Sequence, residues 1–137
     1  MECGSPFLTY DQLTEKAAAW ARSAPELVRV SSIATTAAGR NVLCVEIGDT
    51  RAGLSLERRP GFLVTANLHA VELAGSSVCV QLIDHLIARH SRDADIHRLL
   101  QERVLYVIPR LAVDGADYVL QTLNRVRSVP PRRRVRN

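Results

Sequence analysis

His69 and Glu72 carry the most chemistry in their spacing, inside Asn67-Leu68-His69-Ala70-Val71-Glu72-Leu73-Ala74-Gly75. Residues three apart on a helical turn share a face, so an imidazole nitrogen and a carboxylate can converge on one point. His69 closes a short apolar run and Glu72 opens a helical pattern. The pair therefore belongs beyond the carboxyl end of a strand, where α/β sheets place ligands. One imidazole and one carboxylate are two of the donors of a His₂Glu zinc site, which keeps a fourth position open for water. The spacing alone is common: four histidines and 14 acids give a second case, His90-Ser91-Arg92-Asp93, in a loop. A hydrogen-bonded histidine at a strand end, followed by a carboxylate favoured by a helix dipole, would look the same.

The elements that must position this pair follow from periodicity. Thr9 with Gln12 reads as a capping box. Tyr10, Leu13, Ala17 and Trp20 make one apolar stripe of a helix over residues 10–23. Residues 27–35 and 41–47 read as the strands of an antiparallel hairpin around Ala37-Ala38-Gly39. Residues 48–60 are polar and read as a surface loop. Residues 61–68 (GFLVTANL) form a nearly continuous apolar run, which suits a strand covered on both faces. Val78, Cys79, Leu82, Ile83, Leu86 and Ile87 predict a helix over residues 71–90. Residues 95–101 read as a short helix, 104–108 as a buried strand, Asp114-Gly115 as a turn, and 116–123 as a helical turn or two. His85 falls opposite the apolar stripe and is expected in solvent, while His90 and His97 read as loop and surface residues. The expected class is α/β, a mixed, mostly parallel sheet with helices on both faces.

Five segments, in order, resemble the N-terminal part of the zinc carboxypeptidases of the M14 peptidase family. They are Leu8-Thr9-Tyr10-Asp11-Gln12-Leu13, Ala24-Pro25-Glu26-Leu27-Val28, Ala38-Gly39-Arg40-Asn41-Val42, the 67–75 segment, and Val107 through Asp117 (VIPRLAVDGAD). The resemblance implies a truncated carboxypeptidase-like catalytic domain over residues 1–124. It implies His69 and Glu72 as ligands of Zn²⁺, and a third ligand, a histidine far downstream, that this chain does not contain. It also implies that Arg127, or alternatively Arg125, polarises the scissile carbonyl; both could equally belong to a solvated basic tail. Two departures stand out. The family's Asn-Pro-Asp-Gly is here Ala112-Val113-Asp114-Gly115, and Val71 occupies a position where some members carry a substrate-contacting arginine. The implied activity is zinc-dependent release of a C-terminal residue from a peptide, by a chain that alone should hydrolyse nothing. A zinc deacylase of the aspartoacylase or succinylglutamate desuccinylase type is the related alternative, and a non-catalytic peptidase-like binding module is the other.

Composition bounds these readings. The chain has 137 residues, 47% hydrophobic and 23% charged, which suits a globular domain and excludes wholesale disorder. No apolar run approaches the roughly 18 residues of a membrane span. The formal charge is +4, but residues 125–137 hold six arginines and no acid. The remaining 124 residues carry 12 basic and 14 acidic groups, net −2, so the basic excess lies in an irregular Arg/Pro tail. That tail lacks interleaved aromatics, which argues against a nucleic-acid partner; a peptide or small amide is the partner that the resemblance implies. Cys3, Cys44 and Cys79 form no disulfide framework, and the N-terminus shows no leader pattern. Both features point to a reducing, cytoplasmic setting.

Overall fold

The computed structural model describes residues 7–122. Four helices and four strands follow in the order α1 (Tyr10–Ser23), β1 (Val28–Thr35), β2 (Asn41–Ile47), β3 (Gly61–Thr65), α2 (Leu73–Arg89), α3 (Ala94–Glu102), β4 (Val104–Ile108) and α4 (Val113–Thr122). The α1 capping box forms as expected. The Gln12 N–H donates to Thr9 Oγ1 at 3.3 Å and the Thr9 N–H donates to Gln12 Oε1 at 2.9 Å. The hairpin also forms, and its turn depends on Gly39, whose φ of +79° lies in the left-handed region.

The sheet order is β1-β2-β4-β3. β1 pairs with β2 and β2 with β4 in antiparallel fashion, and only β3 and β4 run parallel. The sheet is mixed, as expected, but it is not mostly parallel. A tight hairpin can only reverse the chain. β2 then lies against β4 in the opposite sense, so the one parallel pair is the one joined through α2 and α3.

Val45, Ile47, Leu105 and Val107 share one face of β2 and β4. They pack with Leu13, Ala17 and Trp20 of α1, Cys79, Ile83 and Leu86 of α2, and Leu100 of α3. A smaller cluster on the other side gathers Val42, Cys44 and Ile108 with Val113 at the start of α4. Cys44 and Cys79 are buried free thiols, and burial raises both pKa values, with Glu46 adding to the effect at Cys44.

Three segments differ from the sequence reading. β3 is an edge strand, and Phe62 and Leu63 are exposed among the described residues, so the expected double covering is not seen. β3 also stops at Thr65, because Asn67 adopts a φ of +54°, a left-handed turn a strand cannot pass through. Residues 48–60 are not merely a surface loop: Asp49, Leu56 and Arg59 are buried. Lastly, Asp114-Gly115 lies in the first turn of α4 and is not a free turn.

Candidate metal centre

The strand-to-helix segment after β3 is built around Asn67. Asparagine tolerates left-handed backbone better than most non-glycine residues. Its side-chain amide donates to the carbonyls of His69 at 3.0 Å and Ala70 at 3.3 Å. Its own carbonyl accepts from the Ala112 N–H at 2.9 Å, and the Ala66 carbonyl accepts from Leu111 at 3.1 Å. The loop after β4 thus clamps the loop after β3, at the carboxyl edge shared by the parallel pair. Below them Arg110, almost fully buried, donates to the Leu8 carbonyl at 2.9 Å and to Ser76 Oγ at 3.3 Å, tying α1 and α2 to the same platform. Burial lowers the Arg110 pKa, against the opposing pull of Asp117.

On this platform His69 Nδ1 lies 2.8 Å from Glu72 Oε1. Both side chains are about half exposed, at 48% and 55%. Glu72 is the residue preceding α2, which begins at Leu73 and not at 71. The two atoms are an imidazole nitrogen and a carboxylate oxygen, converging on solvent from a braced loop. That donor set suits a zinc ion, and the pair would supply two of its ligands.

Ala70, between the two, is packed against α4. A Cβ built on Gly115 would stand 2.7 Å from the Ala70 Cβ, closer than real carbon contacts allow. Glycine at 115 is therefore a packing requirement of the 69–72 loop. Gly115→Ala should lower the urea midpoint, by about 1–3 kcal/mol of overpacking set against roughly 1 kcal/mol of gained helix propensity. Adding Ala70→Gly should recover most of the loss. A single variant as stable as the parent would contradict this account of the loop.

α4 is anchored in turn by Arg40, which donates to Asp114 Oδ1 at 3.1 Å and to Asp117 Oδ2 at 2.6 Å. Asp114 also accepts from Thr36 Oγ1 at 2.9 Å and from the Ala38 N–H at 3.3 Å. The Gly39-Arg40 step and the Asp114-Gly115 step, 74 positions apart from Arg40 to Asp114, are thus two halves of one clamp. Sequence reading matched both segments but missed their pairing.

Comparison with known proteins fits this layout. A family model described as zinc carboxypeptidase matches residues 13–135. The chain belongs to the zinc carboxypeptidase family. Among curated relatives, a zinc carboxypeptidase of Saccharothrix mutabilis subsp. capreolus is 30% identical over 98 residues, covering 72% of this chain and 22% of that protein. Carboxypeptidase B of Rattus norvegicus is 30% identical over 94 residues, covering 69% and 21%. The chain thus spans about a fifth of the length of these two relatives. Among solved structures, bovine thrombin-activatable fibrinolysis inhibitor superposes with a TM-score of 0.75 at 14% identity, over 92% of this chain and 39% of that one. Carboxypeptidase A from Helicoverpa armigera gives 0.70 at 17% identity, over 82% and 26%. At these identities the likeness to the two structures is one of fold.

In this member of the family, the expected site residues fall in three groups. His69 and Glu72 come together as described. Arg125 and Arg127 lie outside the described residues, as does the rest of the 125–137 tail. His85 is exposed, as expected, but His90 is not a surface residue: it is 6% exposed, and His97 is half-buried against it. The signal was present in the sequence. His90 continues the stripe of Cys79, Ile83 and Leu86, which is the buried face of α2.

Proposed function

We propose that this chain is the part of a zinc metallocarboxypeptidase domain that carries two of the three zinc ligands, His69 Nδ1 and Glu72. The observation that carries the reading is the 2.8 Å approach of an imidazole nitrogen to a carboxylate oxygen on a braced loop at the carboxyl edge of a parallel strand pair. Zinc held there would lower the pKa of a bound water and polarise a carbonyl. Asn67 and Gly115 hold the two ligands in register through the 69–72 loop. Arg127, with Arg125 as the alternative, is assigned to the oxyanion of the scissile carbonyl, a role in which one positioned donor is worth about 10²–10³ in rate. The substrate class is a peptide, or a small amide, cleaved at its C-terminal residue. A reducing, cytoplasmic setting fits the buried free thiols Cys44 and Cys79. No helix among the described residues is long and apolar enough to cross a membrane.

By family resemblance the third ligand, the general base and the pocket for the terminal carboxylate have no counterpart in these 137 residues. The pure chain is therefore expected to release no C-terminal amino acid from synthetic peptides, with or without added zinc. A longer form of the protein, extended by a segment bearing a histidine and a glutamate, is expected to release it in a zinc-dependent manner. Amino-acid release followed by mass spectrometry checks both. Turnover by the 137-residue chain, abolished by chelator, would overturn the assignment of the remaining groups to another segment.

A further inference from the structure

A second cluster of donor side chains lies at the other end of the sheet. β2 runs antiparallel to β4, so its end at Ile47 sits beside Leu105, near the start of β4. Asp49 follows two residues later, whereas His69 and Glu72 follow the far ends of β3 and β4. Asp49 is 2% exposed, its N–H donates to the Leu100 carbonyl at 2.8 Å, and its own carbonyl accepts from Arg59 Nη2 at 2.8 Å. His90 closes α2, and His97 lies in α3 after a three-residue connection. The two imidazole rings meet with centroids 4.8 Å apart and planes tilted by 48°.

The unusual atom is His90 Nε2. It is buried and has no hydrogen bond among the described residues, yet it stands 3.4 Å from Asp49 Oδ2. A charge-assisted hydrogen bond would close to about 2.7–2.9 Å. Leaving a buried polar atom unsatisfied costs about 1–3 kcal/mol, so such an atom in a well-packed site needs an explanation. A spacing of about 3.4 Å is the edge of a tetrahedron around an ion whose ligand bonds are about 2.1 Å. Asp49, His90 and His97 each present one donor atom, all within 4.8 Å of one another. Arg51 holds the carboxylate through both oxygens: Nε at 3.1 Å and the backbone N–H at 2.9 Å donate to Oδ1, and Nη2 donates at 3.3 Å to Oδ2, the oxygen that faces His90. Burial works against the charged form of Asp49, but these bonds and the charges of Arg51 and His90 outweigh it and lower its pKa.

We propose that Asp49, His90 and His97 form a second metal site, for a zinc-class divalent cation that takes imidazole and carboxylate donors. Two histidines and one carboxylate leave one tetrahedral position open, and such softer nitrogen donors select zinc-class ions over magnesium or calcium. The site joins the 49–59 loop to both α2 and α3, so the ion would act as a clip across three segments. It is independent of the His69–Glu72 pair in residues and in position.

The test uses tag-free chain carrying His69→Ala and Glu72→Gln, which removes the other donor pair. One equivalent of Zn²⁺ should bind in calorimetric titration, and at 100-fold excess over Kd the melting temperature should rise by roughly 5–10 °C. Co²⁺ should give the visible absorption bands of a tetrahedral site. Adding His97→Gln, or separately Asp49→Asn, should weaken binding about 100-fold and remove the bands. Absence of saturable binding in the folded double variant overturns the proposal, as does binding that survives both further substitutions. Failure of the carboxypeptidase reading would appear elsewhere, as loss of all zinc binding in an Asp49→Asn, His97→Gln chain whose His69 and Glu72 are intact.

Discussion

In a chain already carrying Asp49→Asn and His97→Gln, replacing His69 with alanine should abolish the remaining zinc binding. His69 Nδ1 and Glu72 Oε1 lie 2.8 Å apart beyond the carboxyl end of β3. A structural zinc site of four ligands is worth about 10–16 kcal/mol, or roughly 3 kcal/mol per ligand, so each ligand removed costs about 100-fold in affinity. Starting from two donors, the loss of one leaves a lone carboxylate whose binding is weak enough to escape a micromolar titration. Glu72→Gln should act in the same direction, because an amide oxygen is a much poorer ligand than a carboxylate. Neither change should cost much stability. Both side chains are about half exposed, and substitutions at such positions stay within about 0.5–1 kcal/mol. Equilibrium dialysis with a metallochromic competitor reads the affinity and urea unfolding reads the stability. Zinc affinity unchanged in both variants would remove the basis for placing a metal at this loop.

The largest effect on stability is expected at Arg59. This side chain is 5% exposed and donates only to main-chain carbonyls. Nε reaches Leu54 at 2.8 Å, Nη1 reaches Leu100 at 3.0 Å, and Nη2 reaches Asp49 at 2.8 Å and Ala52 at 3.2 Å, with a further short contact to Leu54. One guanidinium thus organises the 49–59 loop and fixes it to the end of α3. Arg59→Ala strands those carbonyls in a site water does not readily refill, and leaves a cavity where the planar group lay. We expect a loss of about 3–5 kcal/mol, enough to lower the melting temperature by roughly 10–20 °C. Arg59→Lys should recover only part of it, since one ammonium cannot span carbonyls on opposite sides of a planar fork. An Arg59→Ala chain that unfolds at the parent's urea midpoint would contradict this role. The same variant should also weaken metal binding at Asp49, whose carbonyl Arg59 holds, and this ties the two measurements together.

Much of this architecture was legible before any coordinates, and the reason is range. The Thr9–Gln12 cap, the α1 stripe, the 28–47 hairpin and the His69–Glu72 pair each depend on residues a few positions apart, where helix or turn geometry alone decides the contact. The five family-like segments added the order in which these pieces occur. What was misread was of another kind. Residues 48–60 look polar because composition cannot tell that Arg59 will point inward at four carbonyls and not outward at water. β3 looks like a doubly covered strand because an apolar run does not say whether a neighbour is present on its far side.

His69 and Glu72 were therefore determined by the sequence itself: their convergence needs only one turn of backbone and a left-handed Asn67 to start it. The tertiary structure alone decided the polarity of the sheet, the clamp of Arg40 on Asp114 and Asp117, and the meeting of Asp49 with His90 and His97. Each of these joins residues from separate elements, and local propensity carries no information about which elements become neighbours. That choice is made when the apolar faces of α1, α2 and α3 are buried together against β2 and β4, and the polar groups at their ends are carried along with them.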